Sequence, residues 1–116
     1  MEELIIKLRE FAEKRDWNKF HSPKNLIMAL TGEVGELNEI YQWLDTESSK
    51  LENLSEKDIE KSKEELADIF LYTLRIADKL NIDLIEESKK KIEINNKKYP
   101  IEVSKGNAVK YNRRDE

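Results

Sequence analysis

Gly32-Glu33-Val34-Gly35-Glu36-Leu37 is the stretch that decides the fold. Placed in a helix, Glu33 has Leu26, Ala29, Leu30, Leu37, Ile40 and Leu44 within about 60° of its own direction, at about 100° per residue. Such a stripe is the inward face of an amphipathic helix, and Glu33 stands in the middle of it. A carboxylate there is costly unless something positive meets it. Glu36, three residues on, shares the same helical surface. A second stretch, Glu64-Glu65-Leu66-Ala67-Asp68, repeats the arrangement as E-x-x-D. On a helix, Glu65 and Asp68 share an arc with Ile69, Tyr72 and Ile76, flanked by Leu66, Phe70 and Leu80.

Working outward, Ser22-Pro23 gives the first of these helices its start, with Ser as N-cap and Pro at the first helical position. That helix is predicted from Pro23 to about Leu44. Before it, residues 2–15 form an amphipathic helix through Leu4, Ile5, Leu8, Phe11 and Ala12, and Arg15 to His21 is a polar and aromatic connector. Asp45 to Leu54 reads as a loop. Ser55, with Asp58 in the capping position, opens a third helix over 56–80. Asn81-Ile82-Asp83 breaks the chain again, and Asp83 caps a fourth helix running to about Lys97. Tyr99-Pro100 ends it. The expectation is an all-α four-helix bundle over residues 1–100, followed by a polar, irregular tail over 101–116.

Composition narrows the function. Charged residues make up 40% of the 116 and apolar ones 38%, a modest core for a single chain, so burial of a helical face against another subunit is expected. A net charge of −4 argues against a nucleic-acid polymer as partner, because phosphate neutralisation needs a basic surface. The chain has no cysteine and one histidine, which excludes disulfides, thiolate nucleophiles and a multi-His zinc site. The first residues are acidic rather than signal-like and no stretch is long and apolar enough to span a membrane, so a soluble, cytoplasmic protein is expected.

E-x-x-E pairs in so charged a chain usually sit on a solvated face. Here the apolar neighbours of Glu33 and Glu65 point instead to four acids meeting between helices, where they repel one another and raise each other's pKa. Mg²⁺ or Mn²⁺ relieves that repulsion and couples carboxylates to substrate phosphates. A di-iron centre fits poorly, since the sole histidine follows no glutamate at E-x-x-H spacing. Trp17, His21, Trp43 and Tyr72 read first as core or interface aromatics. Beside a cation site they also suit a planar base, stacked while its phosphates reach the metal.

Arg15-Asp16-Trp17-x-x-Phe20-His21-x-Pro23-x-Asn25-Leu26, with Ala29-Leu30-x-Gly32-Glu33-Val34-Gly35-Glu36-Leu37 and Gln42-Trp43, resembles the all-α, MazG-like nucleotide pyrophosphohydrolases, above all their dCTP pyrophosphatase branch. Glu64-Glu65-Leu66-Ala67-Asp68 with Tyr72, Lys91-x-x-x-Asn95-x-x-x-Tyr99-Pro100, and Ser104-Lys105-Gly106 with Lys110-Tyr111 extend the resemblance over nearly the whole chain. The resemblance implies that Glu33, Glu36, Glu65 and Asp68 bind Mg²⁺. It implies that Trp17, Asn18, Lys19, Phe20 and His21, with Trp43 and Tyr72, surround base and sugar, and that Lys91 and Asn95 lie near the substrate. It further implies cleavage of a nucleoside triphosphate between the α and β phosphates and a homodimer or homotetramer; for such a cleavage Glu36 is the first candidate to orient or deprotonate the attacking water, and Glu64 the second. One departure is Leu8, where the eukaryotic enzymes tend to have a histidine, which bears on base preference. The alternatives are phosphoribosyl-ATP pyrophosphatase, from the same superfamily, and a non-catalytic nucleotide-binding or helical interaction module.

Overall fold

The computed structural model describes residues 1–108, and among them no strand occurs. In chain order the long helices are α1 (Glu2–Lys14), α2 (Pro23–Tyr41), α3 (Glu56–Lys79) and α4 (Leu84–Lys98), and a single turn, α5 (Ile101–Ser104), follows. Two compact units make up the chain, Met1–Asn81 with α1 to α3 and Ile82–Glu116 with α4 and α5.

α2, α3 and α4 each begin where side-chain chemistry supplies a cap. Ser22 Oγ accepts from the Asn25 amide at 3.2 Å and Ser55 Oγ from the Asp58 amide at 3.1 Å. Asp83 accepts from the Glu86 amide at 3.1 Å. All three predicted N-caps are therefore present, satisfying amides that a helix start leaves without partners. Helix ends are equally local. At the end of α1, Asp16 takes φ 55° and the Trp17 amide bonds back to Ala12 O at 2.9 Å. This left-handed cap reverses the chain toward the connector. Asn81 repeats the device after α3, also at φ 55°.

Three expected boundaries move. α2 stops at Tyr41 rather than near Leu44, because Asp45 and Ser48 close their own turn: Asp45 Oδ1 accepts from the Ser48 amide at 2.7 Å and Ser48 Oγ from the Asp45 amide at 3.1 Å. The connector holds a 3₁₀ turn, Asn18–Phe20, tied to α2 by Asn25 Nδ2 donating to Phe20 O at 3.1 Å. Residues 101–104, expected to be irregular, form α5 instead, with Pro100 as N-cap and the Ser104 amide donating to Pro100 O at 3.1 Å. Lys110 and Tyr111 lie outside the described residues.

Within Met1–Asn81, α3 packs chiefly on α2 and also on α1. Tyr41 Oη and Ser62 Oγ join α2 to α3 at 2.8 Å, while Ser62 Oγ donates to Asp58 O at 2.7 Å. Arg9 of α1 grips Asp78 of α3 with two guanidinium nitrogens, Nε at 2.8 Å. Among the described residues the buried apolar ones are Ala12, Leu26, Leu74 and Ala77. So thin a core leaves Ile27, Met28 and Val34 of α2, with Leu66 and Phe70 of α3, substantially exposed.

Candidate active site

Glu33 does face inward. Leu26 on its stripe is buried, and Ala29, Leu30, Leu37, Ile40 and Leu44 are half-buried. α3 brings Glu65 opposite, and one carboxylate oxygen from each of Glu33, Glu36 and Glu65 lies within 4.8 Å of the others. The Oε2 atoms of Glu33 and Glu65 are both shut off from solvent without a hydrogen-bond partner. Burial, with the charges of Glu36 and Asp68, pushes the Glu33 carboxyl up, partly offset by its shared hydrogen bond with Glu65. Glu65 is pushed up to about 7, first by burial, then by proton sharing with Glu33 and Glu36. An orphaned pair of buried carboxylate oxygens beside a third acid fits a hard divalent cation.

Two clefts adjoin the acids. The first, about 460 Å³, is largely apolar and is lined by Phe11, Trp17, His21, Tyr72 and Arg75, with Asp68 at its wall. Trp17 meets Phe11 edge-on at 5.6 Å between ring centroids and His21 at 6.2 Å, so the rings form one aromatic wall. The second, about 510 Å³, is polar and is lined by Glu36, Glu39, Asp58, Lys61, Glu64 and Glu65. Asp68 thus faces the aromatic cleft while its charge acts on Glu33. The site can hold a flat apolar group and a cation side by side.

A profile of the MazG-like family matches residues 29–113. The chain belongs to the MazG-like family.

Similar proteins agree. Bovine dCTP pyrophosphatase 1 is 41% identical over 102 residues, which are 88% of this chain and 60% of that protein. The human protein of the same name is 37% identical over the same extent. The chain spans about three-fifths of the length of these curated relatives. A crystal structure of a pyrophosphatase from Archaeoglobus fulgidus is 44% identical, with a TM-score of 0.79, covering 86% of this chain and 92% of that one. The all-α fold is therefore that of a MazG-like protein.

Of the residues expected to form the site, the structure gathers some around the two clefts. Glu33, Glu36 and Glu65 come together, with Asp68 outside that trio at the aromatic cleft. Trp17, His21 and Tyr72 line the aromatic cleft, and Glu64 lines the acidic one. Asn18 is otherwise engaged, since its Oδ1 accepts from Arg75 and from Lys79 Nζ at 3.4 Å. Lys19 pairs with Asp16 at 3.0 Å on the surface, and Phe20 is exposed beside it. Trp43 is 83% exposed and lines neither cleft. Lys91 and Asn95 lie on α4, both exposed.

Arg75 was not among the expected residues. It is only 5% exposed, in a run of apolar neighbours from Leu71 to Ala77, and it lines the aromatic cleft. Its sequence signal is the one that singled out Glu33: a charge inside an apolar stripe.

Proposed function

We propose that this chain hydrolyses (deoxy)nucleoside triphosphates, dCTP or a modified dCTP first, between the α and β phosphates, releasing the monophosphate and pyrophosphate. The observation that carries this reading is Asp68, set between an aromatic cleft sized for a base and a trio of acids suited to a phosphate-bound cation. The names of the bovine, human and archaeal relatives support it.

Each residue has a part. Trp17, Phe11 and Tyr72 offer ring faces and edges to the base, and His21 supplies a polar atom at the same wall. Glu33, Glu36 and Glu65, with Asp68 beside them, would hold Mg²⁺, with Mn²⁺ the substitute. When bound, the cation neutralises triphosphate charge and acidifies water for attack on phosphorus. Glu36 then orients the water or accepts its proton on a carboxylate oxygen, with Glu64 the second candidate in the neighbouring acidic cleft. Lys91 and Asn95 are proposed as further substrate contacts, and Asn18, Lys19, Phe20 and Trp43 as outer ones. Clearing unwanted nucleotides from the pool is the role that follows.

A homo-oligomer is proposed as well. Exposed Met28, Ile27 and Val34 on α2, with Leu66 on α3, are apolar surface that a second copy would cover. No helix among the described residues is long and apolar enough to cross a membrane.

The deciding experiment is a panel of nucleoside triphosphates with Mg²⁺, following pyrophosphate and orthophosphate separately. Pyrophosphate as first product, with dCTP among the best substrates, is expected. Orthophosphate first would contradict α–β cleavage, and turnover of no nucleotide would leave a binding module.

A further inference from the structure

The mechanism above gives no work to Arg75, the most buried charge among the described residues. The Arg75 guanidinium reaches three groups: Nε donates to His21 Nδ1 at 3.3 Å, a terminal nitrogen donates to Asn18 Oδ1, and the other lies 3.5 Å from Asp78. Asp78 also carries Arg9, so the ion pair is shared. Two of the three attachments thus go to neutral side chains of the α1–α2 connector. An arginine that served only to join helices would not need them.

A guanidinium has donors and no acceptor. Its bond to His21 Nδ1 therefore requires a lone pair on Nδ1, and the neutral ring must carry its proton on Nε2. Nε2 has no partner among the described residues, and the ring lines the aromatic cleft with Trp17 and Tyr72. Around it stand the charges of Arg75 and Lys79, with Asp68 and Lys7 elsewhere in the cleft wall. Burial, Arg75 and Lys79 all lower its pKa, which keeps the ring neutral near pH 7.

We propose that Arg75 is a positioning residue that locks His21 as its Nε2–H tautomer, so that the cleft presents a hydrogen-bond donor and takes a ligand with an acceptor there. Given the nucleotide reading, on which the ligand class rests, that acceptor is a ring nitrogen or carbonyl of the base. Cytosine would meet His21 through N3 or O2, and its exocyclic amino group would be turned away. Recognition at this point therefore reads the carbonyl edge of a base.

His21 is the only histidine, so its ring signals need no assignment. Long-range ¹H–¹⁵N correlation spectra of the full, ¹⁵N-labelled chain, without nucleotide, should show a protonated Nε2 and a bare Nδ1 at pH 7.5. In Arg75→Met the two tautomers should mix, and the titration midpoint should rise toward that of free histidine. A wild-type ring protonated on Nδ1 would overturn the proposal, whether or not the variant folds. The second readout is KM for dCTP. Arg75→Met should raise it about tenfold, the scale of one hydrogen bond, with a smaller change in kcat. His21→Gln, whose amide nitrogen replaces Nε2, should bind about tenfold better than His21→Asn, whose amide sits near Nδ1. Equal losses for Gln and Asn would also overturn it. The spectra need no turnover, so a chain inactive on every nucleotide would remove the enzymatic reading and leave the tautomer standing.

Discussion

Glu33 of α2 and Glu65 of α3 face each other with both Oε2 atoms buried and unpartnered. When both are ionised, two carboxylates so placed repel one another across the seam between α2 and α3. That repulsion is a stress at the place where the cation is proposed to bind.

Glu65→Gln tests that stress. Removing one charge should raise the melting temperature of EDTA-treated protein at pH 8, because Glu65, with its carboxyl pushed up to about 7, is mostly ionised there. The same change should abolish the rise in melting temperature that Mg²⁺ gives the wild type, and lower pyrophosphate release at least about 100-fold. A lower melting temperature in EDTA would show that the charge is not under strain.

The Arg9–Asp78 pair ties part of the stability to pH in the acid range. The Arg9 guanidinium, through its hydrogen bonds, holds the Asp78 carboxyl below its usual range, with Arg75 and Lys79 adding to the effect. A folded pKa below the unfolded value of about 3.9 means that the contribution is complete above that pH and fades as pH falls through the folded value. Asp78→Asn should therefore cost about 1–3 kcal/mol at pH 7, where it strips the buried Arg75 of its counter-charge, and much less near pH 2. Urea unfolding at both pH values measures the difference. An equal loss at each would assign the effect to shape, not charge.

Trp17→Ala should act on binding more than on folding. Trp17 is 43% exposed, so little buried area is lost, but a wall of the aromatic cleft goes. Stacking worth about 1–3 kcal/mol predicts a five- to roughly 150-fold rise in KM. Phe20→Ala, outside the cleft, should change KM far less. Steady-state kinetics on dCTP compare them, and equal effects would place the base elsewhere.

Gly32 and Gly35 weaken the helix that carries the acids. A Cβ at either meets nothing within 4 Å, and neither has a positive φ. Gly32→Ala and Gly35→Ala should each stabilise α2 by roughly 0.5–1 kcal/mol in urea unfolding. Destabilisation would mean that something beyond this single chain approaches the helix backbone there.

Local chemistry made much of the fold readable. Ser22, Ser55 and Asp83 cap the helices they were expected to cap, since a cap depends only on residues three or four apart. Glu33 was legible for the same reason: its anomaly lies within one helix stripe. Arg75 carried the same mark, but its meaning lies in partners 54 and 57 positions away, His21 and Asn18, which no periodicity connects. The early end of α2 was hidden because the Asp45–Ser48 turn competes with a helix that Trp43 and Leu44 could otherwise continue. Asp68 shows the limit most clearly, since one helical turn separates it from Glu65 yet it opens onto another cleft.

The exposure of Trp43 has an optical consequence. With 83% of its surface in water it should emit as red-shifted indole, whereas Trp17, pressed edge-on against Phe11 and His21, is partly shielded and open to quenching by the ring beside it. The two tryptophans of this chain thus report on different places. A nucleotide entering the cleft should change intensity through Trp17, and a second copy or ligand closing over α2 should shift the colour of Trp43. Unlabelled protein would then distinguish occupancy from assembly in a single titration.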